Sequence, residues 1–251
     1  MTVAIIGSGN VAAVLGRLAL NSEHVVMHVA SRNTEHAAQL ARELNSSHSG
    51  YDEISNVRAD IFIVAVADAG IAQSISSLKS KSSLVVHTAG AVPLHVLQNV
   101  SDNHGVLYPL QSLRKEMLPM DDVPFLIDGN THEARDKIRS FALSLSNNVT
   151  DANDEQRLKH HAAAVIVNNF TNHLYALTED FCIKENIAFQ KLLPLINETC
   201  ARLAFFSPAS LQTGPAFRND KETMDKHLAI LDKYPALKKI YAILSESIIQ
   251  V

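Results

Sequence analysis

The chain has 251 residues and a mass of 27.4 kDa, enough for one large domain or two modest ones. Hydrophobic residues at 47% and charged residues at 19% exclude a disordered tail protein, and a net charge of −4 with scattered Lys and Arg leaves no footprint for nucleic acid or an anionic membrane. No apolar run reaches the roughly eighteen residues of a membrane span, the start lacks the marks of a signal peptide, and the two cysteines, Cys182 and Cys200, read as inert core thiols, so a cytoplasmic protein is expected.

Taken in chain order, residues before about 150 alternate between short β-rich runs and helical stretches. Thr2–Ile6, His24–Ala30, Asp60–Val66, Ser83–His87, Gly105–Tyr108 and Pro124–Ile127 read as strands, and Asn10–Asn21, Thr34–Leu44 and Ala69–Leu78 as helices. Several strands are apolar along their whole length, as strands buried on both faces must be, which predicts a doubly wound parallel sheet with crossover helices over residues 1–151. From 152 to 251 strand signals fade and helical periodicity takes over, in Asp154–Cys182, Phe189–Phe206, Asp220–Leu231 and Pro235–Ile249, with breaks expected at Pro194, Ser207–Pro208 and Thr213–Gly214–Pro215. A helix as long as Asp154–Cys182 suits a domain or subunit interface, so a homodimer through the helical half is expected.

The first strand runs into Gly7-Ser8-Gly9-Asn10-Val11-Ala12, a G-x-G-x-x-A turn that opens a helix. Gly7 permits the tight turn, Gly9 leaves no Cβ in the way of a pyrophosphate, and Ala12 lets the helix approach the sheet, while the helix N-terminus offers unpaired N–H groups to phosphate. This is the dinucleotide fingerprint of a Rossmann domain; its rival is a bare structural turn. At the tip of the second strand, Ser31-Arg32-Asn33 stands where an NAD enzyme places a carboxylate for the ribose 2′-hydroxyl. A hydroxyl, a guanidinium and an amide suit a 2′-phosphate instead, so NADP is the expected cofactor, unless Arg32 only caps or solvates the next helix. Two further strand ends should face the cofactor: Ala67-Asp68, where Asp68 could equally be a helix N-cap, and His87-Thr88-Ala89-Gly90, where Thr88 could offer its hydroxyl to the nicotinamide carboxamide.

These residues, with Tyr108-Pro109-Leu110-Gln111, His161-Ala162-Ala163-Ala164, Asn169 and Thr213-Gly214-Pro215-Ala216-Phe217-Arg218-Asn219-Asp220 followed by Thr223 and His227, resemble the Rossmann-like NADP oxidoreductases that carry a C-terminal helical domain of unknown function. The resemblance spans essentially the whole chain. It implies an N-terminal domain similar to those of pyrroline-5-carboxylate reductase and coenzyme F420-dependent NADP reductases, an all-helical C-terminal domain similar to the dimerisation domains of 6-phosphogluconate dehydrogenase, and a deazaflavin as a conceivable second cofactor. Two departures stand out. His160-His161 replaces Tyr-His, and Arg218-Asn219-Asp220 replaces Arg-Gly-Asp, where Asn can still occupy a left-handed turn.

Within the helical half, His161, Asn168 and Asn172 share a helical stripe, with Asn169 beside it. His161 reads as a general acid or substrate donor, Asn169 as an amide ligand and Arg218 as a clamp for a carboxylate or phosphate; the rivals are an interhelical polar network and an Arg218–Asp220 ion pair. His87 and Tyr108 are alternative proton donors. The twelve histidines give no metal-ligand spacing: H-E-x-x-H and C-x-x-C are absent, and His160 and His161 diverge by about 100° on a helix. Two functions follow: an NADP(H)-dependent oxidoreductase passing hydride to or from a small C=N or C=O substrate between the two domains, or a non-catalytic NADP-binding regulatory protein.

Overall fold

The computed structural model describes residues 1–116 and 122–250. Eight strands form one sheet in the order β3-β2-β1-β4-β5-β6-β7-β8. These are β1 (Thr2–Ile6), β2 (Val25–Ala30), β3 (Ser47–Ser49), β4 (Ile61–Val64), β5 (Leu84–His87), β6 (Asn103–Pro109), β7 (Phe125–Gly129) and β8 (Val149–Asp151). All neighbours pair in parallel except β6 and β7. The order reverses between β1 and β4, the switch point at which doubly wound sheets bind ligands.

The central strands are apolar throughout because the sheet is covered on both sides. Val3, Ile5, Ile61, Ile63, Leu84 and Val86 pack into one core with helices α1 (Asn10–Asn21), α2 (Thr34–Glu43) and α4 (His132–Leu145); Ala4, Ile6, Phe62, Val64 and Val85 pack into a second. Burying each Ile or Phe contributes about 1.5–3 kcal/mol relative to exposure, so these two faces dominate the stability of the sheet. Helix α4 starts on a Thr131 cap to the Ala134 N–H and buries Ala134, Ile138, Phe141, Ala142 and Leu145; the periodicity reading passed over it, as it did the three-residue edge strands β3 and β8. The helix expected over Ala69–Leu78 is shorter: a 3-10 turn at Asp68–Gly70 leads into the single turn α3 (Ile71–Ser74). The hydroxyls of Ser74 and Ser76 donate back to the carbonyls of Ile71 and Gln73 and compete with helix propagation.

Beyond β8 the chain is helical, with α5 (Asp154–Ala164), a π-helical stretch (Val165–Phe170), α6 (Thr171–Lys184), α7 (Leu193–Arg202), α8 (Lys221–Ile230) and α9 (Pro235–Gln250). A capping box between Asn153 and Gln156 starts α5. Pro194 lies in the first turn of α7, where its missing N–H costs nothing, rather than breaking a helix. Two compact units divide at 168/169, inside the π-helical stretch. In the second unit only Cys182, Ala216, Met224 and Leu231 are buried hydrophobic residues among those described. Cys200, expected in the core, is exposed because α7 buries none of its side chains. Ile166, Val167 and Phe170 are exposed as well. Among the described residues no helix is long and apolar enough to cross a membrane.

Candidate active site

The turn after β1 holds Gly7 at φ +129°, with its N–H donating to the Ala30 carbonyl at 2.7 Å. A Cβ at this position would lie 2.1 Å from the Ala65 carbonyl oxygen, so the turn requires glycine on both steric and conformational grounds. Gly9 precedes α1 without any side-chain cap, and the first bond of that helix is Ala13 N–H to the Gly9 carbonyl. The N–H groups ahead of it have no partner among the described residues, and a Cβ on Gly9 would meet nothing within 4 Å. Val11 is half-buried and Ala12 is buried against the sheet.

Ser31, at the end of β2, is buried and its Oγ lies 2.8 Å from the Ser8 Oγ, so the first and second strand ends meet through two hydroxyls. Arg32 is exposed. Asn33 caps α2, accepting from the Glu35 and His36 N–H groups, so its carbonyl oxygen is committed to the fold. Asn10 Oδ1 accepts from the Lys115 N–H at 3.4 Å, and Ser8, His36, Gln39 and Lys115 line a cleft of about 90 Å³ beside the turn. His36 and Lys115 escaped the sequence reading, since nothing local marks them as neighbours of Ser8.

At the carboxyl end of β4, Ala67 and Asp68 are exposed; the 3-10 turn there has Ala67 before it and no side-chain cap, so Asp68 does not act as the N-cap considered from sequence. At the end of β5, Ala89 and Gly90 are buried. Thr88 is turned inward and donates its hydroxyl to the Val64 carbonyl at 3.3 Å. His87 is fully buried, and its Nδ1 accepts the Ala89 N–H at 3.2 Å. Burial, reinforced by the nearby Arg157 charge and opposed by Asp154, pushes its pKa down to about 4, so the ring is neutral with its proton on Nε2.

His161, on α5, packs its ring against the backbone of Gly90: a Cβ there would lie 2.7 Å from His161 Nδ1. The same nitrogen lies 2.9 Å from the Tyr108 hydroxyl at the end of β6, with the rings edge to face at 5.9 Å. Burial and the charge of Asp68 push the Tyr108 pKa up, so the phenol stays protonated and is able to donate to His161 Nδ1 or to accept from it. Where the phenol donates, the proton of His161 resides on Nε2, the nitrogen turned away from Tyr108. In one place the fold thus assembles Gly7–Ala12, Ser31, Arg32, Ala67, Asp68, Thr88–Gly90, Tyr108 and His161 along the carboxyl edge of β1, β2, β4, β5 and β6. Asn168 donates to the Ser112 hydroxyl. Asn169 and Arg218 belong to the second unit and are exposed; Asp220 caps α8 at the Thr223 N–H, no Arg218–Asp220 ion pair forms among the described residues, and Asn219 adopts the left-handed φ of +52°.

Residues 123–248 match the family described as a domain of unknown function (DUF2520), and residues 2–90 match the family described as NADP oxidoreductase, coenzyme F420-dependent. A candidate NADP oxidoreductase from Bacteroides fragilis is 33% identical, with a TM-score of 0.91 over 100% of this chain and 98% of that one. The 1-pyrroline-5-carboxylate reductase of Streptococcus pyogenes shares the fold at 14% identity, TM-score 0.65, over 100% and 99% of the two chains. The imine reductase of Myxococcus stipitatus, solved with NADP⁺, shares it at 13% identity, TM-score 0.64, over 100% and 92%. A glutamyl-tRNA reductase of Methanosphaera stadtmanae is 29% identical over 137 residues, 54% of this chain, and the chain spans only 33% of that protein.

The buried neutral His87 has a consequence for stability. Its pKa is lower folded than unfolded, so the unfolded chain binds the extra proton, and stability is lost as pH falls from about 6.5 towards 4. Denaturant titrations over that range should show a loss on the order of 3 kcal/mol that is absent in His87→Gln. Equal pH slopes in the two proteins would refute it.

Proposed function

The chain belongs to the DUF2520 family with an N-terminal region of the NADP oxidoreductase type, and from that premise we propose that it is an NADP(H)-dependent reductase of a small C=N or C=O compound. The observation that carries the reading is the shared carboxyl edge: an uncapped helix N-terminus behind Gly7–Gly9 at the switch point, and a Tyr108–His161 pair on the neighbouring strand ends. When bound, the dinucleotide supplies the hydride.

The protein's own parts divide the remaining work. The free N–H groups at the start of α1 take the pyrophosphate. Ser8, Ser31 and Arg32 take the 2′-phosphate, with His36 and Lys115 alongside as further donors, and the Asn33 amide nitrogen stays available while its oxygen caps α2. Ala67, Ala89 and Gly90 keep the nicotinamide side free of bulk. As the substrate carbon gains hydride, its π electrons move to the heteroatom, which takes the proton from His161 Nε2. The acid is the imidazolium, whose Nδ1–H donates to the Tyr108 oxygen; loss of the Nε2 proton leaves the neutral ring protonated on Nδ1, and exchange with solvent returns it to the Nε2–H form, in which Tyr108 donates to Nδ1. Asn169 and Arg218, exposed on the second unit, are the candidates for binding a polar group, Arg218 as the partner of a carboxylate or phosphate. Buried His87 serves as a structural support for the strand end and not as the proton donor. A second reading, with a deazaflavin as the hydride partner, is favoured by the description of the family matched by residues 2–90.

We also infer a homodimer formed through the helical half. Phe205, Phe206, Phe217, Leu195 and Ile183 are all more than half exposed, Phe205 at 81%, in a unit with little core of its own. Large exposed apolar side chains in such number mark an association surface.

Three outcomes are expected. In calorimetric titrations Arg32→Ala weakens NADPH binding about 10- to 100-fold while leaving NADH binding unchanged; an unaltered preference for NADPH removes the 2′-phosphate assignment. In a screen of imines, ketones and hydroxy acids read by NADPH oxidation, His161→Ala lowers turnover roughly 10²- to 10⁴-fold with NADPH affinity retained. A fully active variant refutes the role of His161, and NADPH binding with no turnover of any compound, a deazaflavin included, favours the regulatory function instead. Sedimentation equilibrium gives twice 27.4 kDa, and Phe205→Glu shifts it to the single chain; a monomeric wild-type protein overturns the dimer.

A further inference from the structure

Arg157 is the largest fully buried side chain of the described residues, at 1% exposure, and no part of the chemistry above uses it. Its Nη2 donates to the Val92 carbonyl at 2.5 Å and to Asp154 Oδ1 at 2.7 Å. Asp154 in turn accepts the Leu94 N–H through both oxygens, at 3.0 and 3.2 Å. Nε and Nη1 of Arg157 are buried without a hydrogen-bond partner among the described residues. A guanidinium held by one of its three nitrogens, with two unpaired donors in the interior, is a poor source of stability, since an apolar side chain of similar size would avoid that desolvation cost. Its contribution lies in what it holds in place.

What it holds is the segment after β5. That segment touches α5 at two points: at Val92 and Leu94 through Arg157 and Asp154, and at Gly90, whose backbone forms the floor under the His161 ring. Asp154, Arg157 and His161 are spaced three and four apart, on one side of the helix. The ring of His161 can keep Nδ1 on the Tyr108 hydroxyl only while Gly90 stays where it is, because the contact already has no room for a Cβ.

We propose that Arg157, acting with Asp154, is a positioning residue: it latches the Val92–Leu94 turn to α5 and so fixes Gly90, and through it the hydrogen bond that sets which nitrogen of His161 carries the proton. The proposal rests on the Tyr108–His161 pair described above, and its test separates the two without needing the substrate.

The probe is the full-length chain labelled with ¹⁵N-histidine, its imidazole tautomers read from long-range ¹H–¹⁵N correlations at a pH of about 9, where the rings are neutral. His161→Asn identifies the His161 signals, and His28, held between the Ser47 and Ser49 hydroxyls, is the internal control. The wild-type chain is expected to show His161 biased towards the tautomer protonated on Nε2 roughly fivefold or more beyond the intrinsic preference of a free histidine side chain, the size of effect one neutral hydrogen bond supplies. In Arg157→Met the bias falls to that of a free histidine side chain while the His28 signals, NADPH affinity and thermal midpoint hold. If both Arg157→Met and Asp154→Ala keep the wild-type bias, the latch is refuted and the Tyr108–His161 pair stands. If the wild-type ring shows only the ratio of a free histidine side chain, the pair itself fails and the latch with it. Should Arg157→Met not fold, Asp154→Ala decides, because the Asn153–Gln156 capping box still starts α5 in that variant.

Discussion

One steric exclusion governs the geometry of this molecule: at residue 7 the chain passes so close to the Ala65 carbonyl that only a hydrogen atom fits on the facing side of the α-carbon. Because β1 turns there, against the end of β4 and under the hydrogen bond from Gly7 to Ala30, helix α1 begins directly over the point where the strand order reverses. The free N–H groups at the start of α1, the Ser8–Ser31 contact and the exposed Arg32 are all placed by that passage. Relaxing it would separate the ends of β1 and β4 before it changed any individual binding group.

The polar interior follows a different logic from the apolar one. His87, Val106 and Asp128 lie side by side across β5, β6 and β7. Arg157 sits near enough for its charge to be felt at His87, at Tyr108 and at Asp128. Neutral His87, protonated Tyr108 and half-buried Asp128, whose pKa burial pushes up, each adjust to a low-dielectric setting that holds one buried cation. The hydrophobic faces determine that the sheet exists; this small set of polar groups determines how its carboxyl edge is presented.

How much of this was legible depended on whether the signal was local. Strands such as Ile61–Val64 and Leu84–His87 could be read because burial on both faces leaves an uninterrupted apolar run, and the phosphate turn because its glycine spacing is local. Ser47-His48-Ser49 carries no strand signal; it is recruited as β3 by pairing with β2 and by His28, whose two ring nitrogens reach Ser47 and Ser49. The antiparallel β7 could not be distinguished by its residues from a parallel neighbour. His161 was singled out as a histidine on an apolar helix, but its hydrogen bond to Tyr108, 53 residues away, is a tertiary fact. Nothing local in the sequence separates Arg157 from a surface charge on a helix. Only the fold reveals that the Val92 carbonyl and the Leu94 N–H close over it and its neighbour Asp154.

The sheet ends on both sides in strands of three residues, Ser47–Ser49 and Val149–Asp151. So short a run of free backbone donors and acceptors, flanked by serine, histidine, threonine and aspartate, is a poor template for another strand. A second copy of the chain therefore gains little by extending the sheet, and the routes to fibrous or edge-to-edge association are blunted even though the central strands are among the most apolar segments of the chain.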